Sequence, residues 1–148
     1  MVILGLRLIM REPIKAATNN ARVMRVIWFL SPQKPLGGKW EVSWRVSSTR
    51  YHPVNTDTVK VRRLFSNVTF TTRTTLLDGT TQKCTFLGKF KNLTITGLWY
   101  VPDSDDRGYD GVFQMRLHAG LGDGTGAWAG WTNDGRVETD EMSMRKVS

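Results

Sequence analysis

Residues 39–46 read Lys-Trp-Glu-Val-Ser-Trp-Arg-Val, and this stretch sets the pattern for most of the chain. Every second residue from Trp40 to Val46 is apolar, and the residues between them are polar, as in a β-strand with one buried face. Tryptophans on that buried face indicate a thick hydrophobic interior. The stretch therefore predicts the first strand of an all-β domain.

The same two-residue period returns after residue 46, interrupted by turn-forming residues. The dipeptide Asp78-Gly79 is typical of a two-residue hairpin of type I′, because that turn needs positive φ at both central positions. No helical period separates the apolar alternations. We predict eight antiparallel strands, at residues 39–46, 57–65, 68–77, 80–91, 93–101, 109–118, 125–131 and 136–147.

Hairpin-length connections between these strands favour one up-and-down sheet. An open sheet of this size would leave two exposed edges, so we expect residues 37–148 to form a compact eight-stranded antiparallel up-and-down β-barrel. The interior of an eight-stranded barrel holds either packed side chains or one small ligand. The sequence leaves both possibilities open.

Residues 1–36 are predicted to be a separate basic extension. They carry six basic residues and one acidic residue, within a net charge of +8 for the chain. Ile14 to Leu30 lacks Gly and Pro and has apolar residues at helical spacing, which predicts one helix. The apolar runs Val2–Met10 and Val23–Leu30 are shorter than the roughly 20 residues that span a bilayer. Such a segment could contact a protein, a nucleic acid or an anionic membrane.

The inventory of reactive residues predicts neither an enzyme nor a cofactor. The histidines His52 and His118 show no metal-ligand spacing and form no recognisable set with a nucleophile. Acidic residues cluster between Asp103 and Asp110, but Arg107 stands at a ligand position of the EF-hand pattern and Gln114 at its closing Glu position. We therefore expect no metal site there.

The only cysteine, Cys84, alternates with Phe86 in a strand pattern. This predicts a small buried side chain rather than a nucleophile. A chain with one cysteine forms no internal disulfide, which favours a reducing, cytoplasmic location.

A candidate binding rim follows from the strand order. In an up-and-down barrel the loops after strands one, three, five and seven emerge at the same end. Arginine can donate two hydrogen bonds to a phosphate, and aromatic rings or guanidinium planes can stack on a nucleobase. The candidate ligand-binding residues on this rim are Arg50, Tyr51, His52, Arg107 and Tyr109.

These residues predict a receptor or sensor barrel for a nucleotide-like or other anionic small molecule. The alternative interpretation is a packed, non-enzymatic scaffold whose N-terminal segment binds a protein, nucleic acid or anionic membrane. A homo-oligomer is compatible with either.

The strand openings Gly38-Lys39-Trp40, Gly97-Leu98-Trp99 and Gly126-Ala127-Trp128 resemble those of the calycin group, which includes lipocalins, fatty-acid-binding proteins and avidins. Residues 38–42 and 109–113 are similar to phrases in the lipocalin-like receptor barrels of bacterial CBASS anti-phage effectors. This resemblance implies a cyclic dinucleotide ligand. That family also uses two membrane-spanning helices, and no segment of this chain has the length they require.

Overall fold

The computed structural model describes residues 36–102, 110–132 and 135–147. These residues form a closed antiparallel barrel in which each strand pairs with its neighbours in chain order and β8 pairs with β1. This confirms the predicted eight-stranded up-and-down barrel. The strands are β1 Gly38–Arg45, β2 Val54–Leu64, β3 Asn67–Thr75, β4 Thr81–Lys91, β5 Thr94–Tyr100, β6 Asp110–Leu117, β7 Asp123–Trp131 and β8 Val137–Lys146.

The predicted N-terminal helix lies outside the described residues. Within the described ranges, no helix is long and apolar enough to span a membrane.

Two predicted loops differ from the structure. Strand β2 begins at Val54 rather than residue 57, because Val54 to Thr56 pair with the end of β1. The predicted type I′ hairpin at Asp78-Gly79 is wrong. Leu76 and Thr80 close the loop through a backbone hydrogen bond of 2.8 Å, and only Gly79 has positive φ. The loop therefore contains three residues with glycine in the left-handed position, an arrangement that an Asp-Gly pair also fits.

The predicted inward residues of β1, β2 and β6 do face the interior. Trp40 and Val42 are fully buried, and Val59, Val61 and Phe113 are at most 3% exposed. The interior changes character along each strand, however. On β3 the inward residues run from apolar to polar: Val68, Phe70, Thr72 and Thr74.

The barrel therefore has two distinct ends. At one end, which we call the short-turn end, lie the turns at 65–66 and 92–93 and the loop at 118–122, and the described chain begins there at Leu36. At the other end, the cavity end, lie the connections between β1 and β2, β3 and β4, β5 and β6, and β7 and β8.

Candidate ligand-binding cavity

A cavity of about 640 Å³ opens at the cavity end of the barrel. Small-molecule sites in proteins usually enclose about 300–1,000 Å³, so this space suits one small ligand. It reaches from the loops at the mouth down to Phe86 and Met142, near the middle of the barrel.

Phe86 lines the floor of the cavity and belongs to a cluster of three phenylalanines. The rings of Phe70 and Phe86 are stacked, with centroids 4.6 Å apart, and Phe113 meets both edge to face. All three are at most 6% exposed. This cluster separates the cavity from the filled interior below it.

Tryptophans form one wall. Trp99 and Trp128 meet edge to face, with ring centroids 5.8 Å apart. Each indole N–H donates to a backbone carbonyl, Trp99 to Ala129 (3.2 Å) and Trp128 to Arg45 (3.0 Å). Because these donors are already paired, the wall offers a ligand mainly ring faces and edges.

Trp99 lies in a recess made by two glycines. Gly111 and Gly130 face each other in register on β6 and β7. A Cβ added at Gly130 would lie 2.2 Å from Trp99 Cζ2, and one added at Gly111 would lie 2.6 Å from Trp99 Nε1. Without these glycines the indole would have to move, and the interior is the open direction. The glycines therefore keep the cavity open.

A second wall is polar and belongs to β3 and β4, and it adjoins Trp99 because β4 pairs directly with β5. Thr72 faces Cys84 across the two strands, and Thr74 faces Gln82. Burial raises the pKa of the Cys84 thiol to about 12, so it stays protonated and is a poor nucleophile. The side chain is half-buried and lines the cavity, whereas the sequence predicted a buried one.

The hydroxyl of Thr72 stands out on this wall. The residue is 1% exposed, and within the described part of the chain its Oγ1 has no hydrogen-bond partner. An enclosed polar atom without a partner costs free energy, and the great majority of such atoms in proteins are paired.

The mouth is formed largely by the loop between β1 and β2, which is held against β3 and β4. The carbonyl of Arg50 accepts a hydrogen bond of 3.0 Å from the backbone N–H of Leu77, and the Tyr51 hydroxyl is hydrogen-bonded to the Gln82 side chain. Arg136 and Glu138 line the mouth from the β8 side.

The predicted rim residues have different positions. Arg50 and Tyr51 line the cavity. His52 is exposed and is not a lining residue; its carbonyl accepts a hydrogen bond of 2.8 Å from the Asn55 side chain. Arg107 and Tyr109 lie outside the described residues.

Most lining residues were missed by the sequence reasoning, among them the polar residues Thr72, Thr74, Gln82 and Arg136. Arg136 directly follows a predicted rim turn and could have been included on that ground. Thr72 and Gln82 occupy inward strand positions where an apolar residue is expected, and polar residues at such positions are a signal of a polar cavity.

In the described ranges, no group of three or more His, Cys, Asp or Glu side chains could hold a metal ion.

Comparisons with known proteins give the fold alone. No family model matches the chain, and no curated protein matches it. Among solved structures, one described as a redesigned beta barrel is similar at a TM-score of 0.56 and 15% identity, covering 76% of this chain and 92% of its own. The similarity supports a closed β-barrel and carries no information on a ligand.

Proposed function

We propose that this chain is a ligand-binding barrel that acts as a receptor or sensor for a small anionic molecule with a planar ring, of the nucleotide type. The observation that carries the proposal is the cavity itself, with an aromatic wall, a polar wall and arginines at its mouth. Protein interiors are close-packed, so we would expect a barrel that served only as a scaffold to fill this space with side chains.

The two walls suit different parts of such a ligand. Trp99 and Trp128 offer apolar ring surface, on which a planar heterocycle can stack. Thr72, Thr74 and Gln82 line the adjoining wall with hydroxyl and amide groups, which can bind the polar edge of the same ring.

The unpaired hydroxyl of Thr72 favours a polar ligand over a purely apolar one. A fatty acyl chain offers this oxygen no partner, whereas a ring nitrogen or carbonyl could pair with it once the Thr72 side chain rotates towards the cavity, because the oxygen itself is buried.

The charges at the mouth favour an anion. Arg50 and Arg136 both line the entrance, and a guanidinium group suits a phosphate well. Glu138 is the acidic residue among the described lining residues, and its carboxylate already accepts a hydrogen bond of 2.7 Å from the backbone N–H of Ser47.

A cyclic dinucleotide is one member of this ligand class, and it is the member that the sequence resemblance to CBASS receptor barrels suggests. Its phosphates would lie at the mouth near the arginines, and a base would enter between the two walls. The role we propose for such a chain is that of a non-enzymatic receptor in anti-phage signalling.

The proposal is tested by calorimetric titration of the full chain with cyclic dinucleotides, mononucleotides and a long-chain fatty acid. We expect heat with at least one nucleotide and none with the fatty acid. Thr72→Val removes the hydroxyl at nearly constant volume, so it should weaken nucleotide binding by about tenfold, while Thr72→Ser should bind as the wild type does.

Arg50→Gln should also weaken binding, because it removes a cation at the mouth. Arg73→Gln is its matched control, since Arg73 is exposed on β3 and is not a lining residue. Fatty-acid binding without nucleotide binding, or equal losses for the Arg50 and Arg73 variants, would contradict the proposal.

A further inference from the structure

The short-turn end of the barrel carries an exposed phenylalanine in an unfavourable conformation. Phe65 is 70% exposed, and its φ of 54° lies in the left-handed region, which bulky residues rarely adopt. Asn or Gly would form this turn with less strain. Phe65 therefore costs the fold both conformational strain and exposed apolar area, and a contact outside the barrel would account for its presence.

The other loops of this end also contain non-glycine residues with positive φ. Asn92 and Leu93 have φ values of 52° and 60°, and Leu121 has a φ of 52°. Among the described residues, all non-glycine residues with positive φ lie in the loops of the short-turn end, and three of them are large and apolar. At the cavity end the positive-φ residues are glycines, Gly79 and Gly135.

Basic side chains surround these loops. The exposed Lys39 and Lys60 stand directly opposite each other on β1 and β2, although like charges in register are destabilising. On β4, Lys89 pairs in register with Asn67, just after the Phe65 turn. The ring of basic residues consists of Lys39, Lys60, Arg62, Lys89, Lys91 and Arg116.

The position of Phe65 is fixed by a further basic residue. Arg63 donates from Nε to the Phe65 carbonyl at 2.7 Å, and its guanidinium carbon lies 4.9 Å from the centre of the Phe90 ring. Arg63 thus holds the turn in place at the short-turn end, while the Phe65 side chain remains exposed to solvent.

Little negative charge offsets this ring. In the described ranges, the acidic residues nearest to the short-turn end are Glu41 and Asp123, and each has a partner. The Arg145 guanidinium donates to the Glu41 carboxylate at 3.0 Å, and the His118 ring lies 2.9 Å from the Asp123 carboxylate. The end therefore presents a positively charged surface with an apolar tip.

We propose that the short-turn end docks on an anionic membrane surface, with Phe65 entering the headgroup region and the basic ring contacting lipid phosphates. Peripheral membrane binding requires this combination of apolar insertion and basic charge. The cavity mouth, at the opposite end, would then face away from the bilayer and stay open to a soluble ligand.

The sequence of the N-terminal segment favours a membrane over a nucleic acid. The described chain begins at Leu36 at this same end, and the sequence before it contains the apolar runs Val2–Met10 and Val23–Leu30. An apolar sequence joined to the barrel through Leu36 would supply a second anchor, and one weak anchor alone binds only marginally.

The test is co-sedimentation of the full chain with vesicles of phosphatidylcholine, alone or with about 30% phosphatidylserine. We expect binding to the anionic vesicles, little binding to the neutral ones, and release at about 0.5 M salt. Phe65→Asn should weaken binding by about tenfold and should melt no lower than the wild type, because Asn tolerates the left-handed conformation.

Two matched controls define the surface. Lys89→Glu should weaken binding by about tenfold, whereas Lys83→Glu, on the same face of β4 but towards the cavity end, should have little effect. Leu77→Asn removes an apolar side chain that is 55% exposed at the cavity end, and it should bind as the wild type does.

Three results would overturn the proposal. The first is equal binding to neutral and anionic vesicles. The second is vesicle binding that Phe65→Asn and Lys89→Glu leave unchanged, which would assign the contact to residues 1–35. The third is that both variants lose binding to a single-stranded oligonucleotide but still bind vesicles as the wild type does. That result would assign the surface to nucleic acid.

Discussion

At the short-turn end the inward side chains are aliphatic and aromatic, and Trp40 is fully enclosed with its indole N–H bonded to the Leu36 carbonyl at 2.9 Å. At the cavity end the inward positions hold threonine, glutamine and half-buried tryptophans, and space remains between them. The same strands supply both halves. One half of the barrel therefore carries the packing that stabilises the fold, and the other half encloses the cavity.

The loops at the two ends of the barrel also differ, in which residues adopt positive φ values. Glycine supplies the positive φ values described at the cavity end, so those loops form without strain. At the short-turn end Phe65, Leu93 and Leu121 adopt positive φ values, and the packed interior beneath them is what can hold such conformations. Strain is thus concentrated where the core can support it.

The largest test of this contrast compares a tryptophan from each half. Trp40→Ala should lower the free energy of unfolding by about 3–5 kcal/mol, because it opens a cavity in a close-packed region. Trp128→Ala should cost about half as much or less, because Trp128 is only partly buried and borders existing space. Denaturant titration measures both.

A Trp40→Ala chain that is unfolded without denaturant would also fit this expectation. Equal losses for the two variants would contradict it, since the cavity half would then be as tightly packed as the other.

A second test closes the cavity from within. Gly130→Ala places a methyl group 2.2 Å from the Trp99 ring, so the indole must move towards the interior. We expect a cost of about 1–3 kcal/mol from overpacking, together with weaker binding of any cavity ligand.

Gly120→Ala is the control for this substitution. A Cβ at Gly120 meets nothing within 4 Å, and that loop lies at the short-turn end. It should change stability by at most about 0.5 kcal/mol and leave ligand binding intact. If Gly130→Ala binds the ligand as the wild type does, then Gly130 does not determine the position of the Trp99 ring.

The barrel was predictable because β1 and β6 keep a two-residue period, the other strands keep it over part of their length, and the connections are short. The hairpin at Asp78-Gly79 was predicted wrongly because an Asp-Gly pair fits two turn types, and the hydrogen bond between Leu76 and Thr80 decides between them. Arg50 and Tyr51 were placed near the mouth from strand order alone. The direction of His52 was not predictable, since a position in a loop does not determine where a side chain points.

The cavity could not be predicted, for a reason of register. Inward tryptophans suggest a filled interior, and Trp99 leaves space only because Gly111 and Gly130 meet across two strands beside it. Spacing along one strand does not reveal which residues face each other on the next. The inward threonines of β3 were the readable signal of a polar interior.

The smallest effect concerns how a cavity-end loop is held. Asp78 accepts hydrogen bonds from the Thr80 hydroxyl at 2.6 Å and from its backbone N–H at 2.9 Å. These bonds, with a contribution from the charge of Arg50, lower the pKa of Asp78 below its usual 3.8. A lowered folded-state pKa means that the ionised carboxylate stabilises the fold above the unfolded-state pKa, and this contribution disappears as the pH falls through the folded-state value.

Asp78→Asn keeps an acceptor oxygen but removes the charge. Its stability should therefore lie slightly below that of the wild type above about pH 5, and the two should converge as the pH falls below about 4. Thermal melts across this range measure the difference, which solvent exposure of the loop keeps small. In a Thr80→Val background the largest cause of the pKa shift is absent, so the same substitution should have less effect. If the stability difference instead grew towards low pH, the charge of Asp78 would destabilise the loop. Gly79 would then be the residue that mainly stabilises the loop conformation.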